Sequence, residues 1–137
     1  MMGTLPSGLS EQVADDEDLA RFLTSSSQFN ALMVKPSAFL PSPKDDATSV
    51  FRHGGEPRDA LWQIGTNHVV HRTMHGAAII RTRHVRAAML DVVAQEPPPR
   101  HANIVGWPSL APDPEMGKAE RKERAARIAQ YAEVVRR

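Results

Sequence analysis

The sequence predicts an α+β fold: a small mixed or antiparallel sheet covered by a long C-terminal helix, with an extended proline-containing N-terminal arm. Three observations carry this. Short β-type runs recur through the middle of the chain, at residues 48–52, 76–82, 91–94 and 101–105. One long stretch near the C-terminus sets its apolar residues on a single helical arc. Pro36, Pro41 and Pro43 fix φ and remove backbone donors, which keeps residues 29–43 out of helix. At 137 residues the chain has room for one core.

Residues 1–12 read as a flexible terminus, because Gly3, Pro6, Ser7 and Gly8 offer no periodicity. Residues 13–46 read as an acidic short helix and the extended arm. Asp15, Asp16, Glu17 and Asp18 suit the positive end of a helix dipole, and Leu19, Phe22 and Leu23 follow at i, i+3 and i+4. Ser25–Ser27 end that helix, and Asp45-Asp46 mark a turn.

Residues 47–137 read as the α+β core with its C-terminal helix. A strand at Thr48–Arg52 stops at Gly54-Gly55. A helix from Pro57 to about Ile64 carries the stripe Ala60, Leu61 and Ile64, with Gly65 as its cap. Strands are expected at His68–His71, Gly76–Thr82, Asp91–Ala94 and His101–Val105, with a helical turn over Val85–Leu90. The closing helix, from about Glu115 to Val135, rests on Ala125, Ile128, Ala129, Ala132 and Val135, and Glu123 stands four residues before Arg127.

Composition removes several classes of function. With no cysteine, a disulfide framework, thiol catalysis and cysteine-ligated zinc are excluded. The run Gly76–Ile80 is too short to cross a membrane, and residues 1–9 lack the basic and apolar regions of a secretory signal. The expectation is a soluble, cytoplasmic protein with no membrane partner. The net charge of +1 hides an asymmetry. Residues 1–50 hold seven acids against three bases, whereas residues 51–101 hold seven arginines against four acids. Either the acidic segment lies on the basic centre of its own chain, or the centre awaits an external anion.

All six histidines fall within that basic centre, between His53 and His101. His68, His71 and His75 have the gaps of a helical metal site, but Val69-Val70 reads as strand and the neighbouring arginines would repel a cation. No metal or cofactor is expected. His71-Arg72-Thr73 has the histidine-x-threonine form of two-histidine phosphoesterases, yet His101-Ala102-Asn103 lacks the hydroxyl that a second copy needs. His71 therefore reads as a partly exposed strand residue. Alternation on the last strand sets His101, Asn103 and Val105 on one face and Ala102 and Ile104 on the other. That face either lines a pocket with Arg100 at its mouth or pairs with loop carbonyls to fix the register. Arg81 and Arg83 would share a strand face able to grip phosphate or carboxylate. No aromatics interleave with them, so single-stranded nucleic acid is not favoured.

Ala38-Phe39-Leu40-Pro41-Ser42-Pro43-Lys44-Asp45-Asp46, then Ser49-Val50 and later His101-Ala102-Asn103-Ile104, resembles a family of small bacterial proteins. Its members share a phenylalanine–proline–lysine–aspartate arm, a serine–valine strand, a histidine–alanine–x–isoleucine strand and an alanine-rich terminal helix. The resemblance implies that Phe39, Lys44, Asp45 and His101 belong to a shared architecture. It implies no activity and transfers no catalytic residue.

The function expected from these features is a non-catalytic protein-interaction module, a component or regulator of a larger bacterial assembly. Asp15, Asp16, Glu17 and Asp18, with Phe39 and Leu40, would dock another protein of the same system, and Arg81 and Arg83 would meet an acidic surface. The alternative is a small hydrolase or transferase acting on a phosphate-containing substrate. There His101 would be the general acid or base beside Asn103, with Arg100, Arg81 or Arg83 on the phosphate. A third reading, nucleic-acid binding through the basic centre, predicts steep salt dependence. Convergence separates them: an enzyme needs His101, a second polar group and an arginine facing one cleft.

Overall fold

The computed structural model of the chain describes residues 3–30, 33–54, 56–69 and 72–137. Among them, β1 (Asp18–Leu23), β2 (Thr48–Arg52), β3 (Gly76–Arg81), β4 (Asp91–Ala94), β5 (His101–Val105) and β6 (Glu133–Arg136) form one six-stranded sheet. Its order is β4-β5-β2-β1-β3-β6, and every neighbouring pair is antiparallel. Helix α1 (Arg58–His68) packs on one face, and α2 (Thr82–Ala87) and α3 (Pro114–Ala129) pack on the other. The class is α+β, with the C-terminal helix on the sheet.

Alternation along the strands divides the core. Leu19, Leu23, Val50, Ile80 and Ile104 face Val85 of α2 and Ala125 and Ile128 of α3. Ala20, Phe22, Phe51 and Ala77 face Leu61 of α1 and Met74. The proline arm joins the α3 side: Val34, Ala38 and Phe39 are fully buried there, and Thr48 Oγ1 donates to the Phe39 carbonyl at 2.7 Å.

Several expectations are corrected. Leu19–Leu23 is no helix but the centre of β1, so the sheet draws on residues from both sides of position 47. Apolar residues at 19, 20, 22 and 23 fit a helical stripe and a strand covered on both faces equally well. Six-residue pairing with β3 decides for the strand. Helix α1 runs past Gly65 to His68; a Cβ at Gly65 would stand 2.7 Å from the Phe22 ring, so the glycine permits close approach and caps nothing. His68 therefore ends a helix and begins no strand, while Val70 and His71 lie outside the described residues. The turn expected at Val85–Leu90 begins earlier, at Thr82, so Arg81 closes β3 and Arg83 lies on α2. The two share no strand face. Helix α3 starts as expected, with Asp113 Oδ1 accepting from the Glu115 and Met116 N–H groups at 3.2 Å, but stops at Ala129. Val134 and Val135 are β-branched and pair with β3. There the missing side chain of Gly76 lets the Val135 carbonyl come within 2.5 Å of where a Cβ would sit.

The sheet is not paired evenly. β1 follows β3 over all six residues, from Asp18↔Arg81 to Leu23↔Gly76, and β2 follows β5 from Thr48↔Ile104 to Phe51↔His101. Between β1 and β2 the register pairs are Leu19↔Arg52 and Ala20↔Phe51, with the His53 N–H donating to the Asp18 carbonyl at 2.9 Å. Beyond Ala20 the two halves part as a fork.

At the closed end of the fork lies Arg52, 2% exposed and paired with both carboxylate oxygens of Glu17 at 2.8 and 2.9 Å. Its Nη1 also donates to the Ser10 carbonyl at 2.6 Å, tying the N-terminal segment to β2. Removing one member of a buried ion pair leaves an uncompensated charge, at a cost of about 3–5 kcal/mol. Glu17→Gln should therefore destabilise the fold by roughly 3 kcal/mol in urea denaturation. A loss below about 0.5 kcal/mol, the scale of surface substitutions, would contradict this anchoring role.

Candidate functional site

The open end of the fork is a half-enclosed cavity of about 260 Å³. Arg21, Phe22 and Thr24 line it from the β1 side, Ser49 and Phe51 from β2, and His68, Val69 and Arg72 from the end of α1 and beyond. Ser49 and Phe51 reach it because they alternate with Val50, which faces the other core.

Arg21 bridges the fork. Its Nε donates to the Ala38 carbonyl and its Nη1 to the Ser49 carbonyl, both at 2.9 Å. A buried carbonyl without a donor costs about 1–3 kcal/mol, so the guanidinium replaces backbone pairing that the parted strands lack. Among the described residues no carboxylate pairs with Arg21 or with exposed Arg72. Burial first, then the Arg72 charge, lowers the pKa of Arg21. The cavity lining thus holds two guanidiniums and one imidazole without an acid.

Behind Ser49 stands His101. Ser49 Oγ lies 2.7 Å from His101 Nε2, and His101 Nδ1 lies 2.9 Å from the Gln95 carbonyl oxygen. A carbonyl only accepts, so Nδ1 carries the proton and Nε2 accepts from the serine hydroxyl. The rings meet edge to face in a short series: Phe51 lies 5.3 Å from His101 and 4.6 Å from His68 between centroids. Burial, then His101 and Arg21, holds His68 below the ordinary 6.5.

Of the residues singled out from sequence, His101 and Asn103 share this face and are buried, at 8% and 7% exposure. Asn103 donates to the Gln95 side chain. Arg100 turns away: its Nε donates to the Arg52 carbonyl at 2.7 Å and its Nη1 to Glu56 at 3.3 Å. Arg81 pairs with Asp18 at 3.5 Å, Asp15 pairs with Arg86, and Asp16 and Arg83 are exposed. The acidic run thus meets the basic centre of its own chain. Phe39 has no exposed surface, so a docking role for that pair would rest on Leu40, 37% exposed. His68 and His75 have different surroundings, since His75 packs beside Phe29 at 6.4 Å; His71 lies outside the described residues. Sequence reasoning missed Arg21, Ser49, Arg72 and Gln95 as site residues. The alternation Ser49-Val50-Phe51 was the available signal for Ser49, but its partner across the sheet was not readable.

Among the described residues no helix is long and apolar enough to cross a membrane. No protein-family model matches the chain, and neither a curated protein nor a solved structure matches it. The site is therefore interpreted from its own geometry.

His53 resembles His68 electrostatically: burial first, with Arg100 and Arg58 adding to it against Asp18 and Glu56, lowers its pKa from 6.5. Both imidazoles bind protons less readily folded than unfolded. Stability contributed by their neutral forms is present above pH 6.5 and is lost as pH falls through the lower folded values. Urea midpoints measured from pH 7.5 to 5 should fall on acidification, and His68→Gln should flatten part of that slope. A pH-independent midpoint in the parent chain would contradict it.

Proposed function

We propose that the chain is a binding module that receives an anionic group, a phosphate or carboxylate, in the fork cavity. The observation that carries this is the acid-free lining: Arg21 and Arg72 face one hollow, with His68 beside them. Burial and then the Arg72 charge lower the pKa of Arg21, and an anion in the hollow would relieve both effects. Four arginines that are at least partly buried or border the sheet are neutralised by the chain itself, through Glu17–Arg52, Asp18–Arg81, Glu56–Arg100 and Asp46–Arg121.

The size of the hollow bears on the ligand. At about 260 Å³ it falls below the roughly 300–1,000 Å³ that encloses a whole drug-sized molecule. It suits the charged end of something larger whose remainder stays outside. That agrees with a module within a larger bacterial assembly, whose partner presents the group. The contact differs from the surfaces expected from sequence, since Phe39 is core and Glu17 is committed to Arg52.

Sulfate is a suitable probe because it does not titrate near neutrality. Its binding, followed by NMR shifts of His68 and Arg21, should weaken about tenfold in Arg72→Gln, as expected for losing one charged hydrogen bond. Binding should also tighten as pH falls from 8 to 6, because a bound anion raises the His68 pKa and favours its charged form. Shifts spread over the basic surface of α3, with Arg72→Gln unchanged, would refute the assignment.

A further inference from the structure

We propose that Ser49 is a nucleophile and His101 its general base, so that the cavity transfers the phosphoryl group it holds. This rests on the anion-site reading above and adds chemistry to it. Three groups stand in series: the Ser49 hydroxyl, the His101 imidazole at 2.7 Å, and the Gln95 carbonyl at 2.9 Å from the far ring nitrogen. The carbonyl fixes the tautomer, so a lone pair on Nε2 faces the hydroxyl proton. An activated serine requires that order of nucleophile, base and orienting acceptor.

Other hydroxyls in the fold are engaged differently. Thr48 Oγ1 donates to the Phe39 carbonyl, Thr82 Oγ1 to the Glu17 carbonyl and Ser7 Oγ to the Glu96 carboxylate. Those acceptors anchor the hydroxyl and provide no imidazole nitrogen to take its proton. Ser49 meets a base and also lines the cavity. The pair is held by strands, not loops: Ser49↔Asn103 and Phe51↔His101 are in register across β2 and β5. Gln95 clamps both positions on β5, His101 through its main chain and Asn103 through its side chain.

In the step, Ser49 Oγ attacks phosphorus, the Oγ–P bond forms, and the bond from phosphorus to the leaving oxygen breaks. His101 Nε2 takes the Oγ proton and returns it to the leaving oxygen. Water, giving its proton to the same nitrogen, then displaces Ser49 Oγ, which regains that proton and leaves phosphate. Arg21 and Arg72 hold the non-bridging oxygens, where charge accumulates. Water is the single co-reactant.

The chain has no cysteine, so Ser49→Cys introduces a lone thiol at the nucleophile position. With His101 as base, alkylation by iodoacetamide should titrate at least one pH unit below the ordinary thiol value of about 8.5. Adding His101→Gln should return it toward that value and slow alkylation at pH 6.5 at least tenfold, which separates the imidazole from the nearby arginines. The unaltered chain should form one adduct with a fluorophosphonate probe, mapped to Ser49 by peptide mass. An ordinary thiol titration in folded Ser49→Cys, with no adduct on the parent, would overturn the proposal. If sulfate nevertheless binds, the anion site stands and the nucleophile falls. A depressed thiol titration without sulfate binding would sustain the pair and remove the anion site.

Discussion

Past Ala20, β1 and β2 show no register pairing, and the Arg21 guanidinium takes over part of that role by donating to Ala38 and Ser49. This substitution governs the rest of the site. A sheet paired throughout would bring β1 and β2 to about 4.8 Å and leave no hollow between them. Because one side chain spans the gap, the strands can part without stranding a buried carbonyl. Phe22, Ser49 and Phe51 then look onto a space that the end of α1 half-covers. The fork also explains the polarity of that space, since the group that holds it open is a cation.

Charge is arranged to different ends at the two ends of the fork. At the closed end Arg52 is buried with Glu17, a fully matched pair that fastens the N-terminal segment to the sheet. At the open end Arg21 is half-buried against neutral carbonyls, and its neighbour Arg72 adds charge of the same sign. Partly burying a cation without a counter-ion costs stability, a cost that the proposed anion would offset. Ser49 and His101 stand beside that cation because the antiparallel register of β2 and β5 puts alternate residues of both strands on one face.

Much of the scaffold was legible in the sequence. β2, β4 and β5 were read at their observed bounds and β3 to within one residue, because β-branched runs bounded by glycine, proline or aspartate leave little choice. β1 was not legible: Leu19–Leu23 carries apolar residues on both faces around Arg21, and the partner that makes it a strand is more than fifty residues away. The end of α3 was misread for a related reason, since Ala132 and Val135 continue a helical arc while Val134-Val135 also completes a sheet edge. Within the site, alternation picked out His101 and Asn103 as one face. Ser49 and Arg21 became visible once the register and the lapse in pairing were known, because no local pattern encodes which strands lie side by side.

A crystal structure of the chain grown in sulfate tests the central claim most directly. The account predicts β1 and β2 diverging after Ala20, with a sulfate ion between the Arg21 and Arg72 guanidiniums and Ser49 Oγ in reach of His101 Nε2. Continuous pairing of β1 and β2 through Phe22 and Ser49, with the Arg21 side chain in solvent, would contradict it.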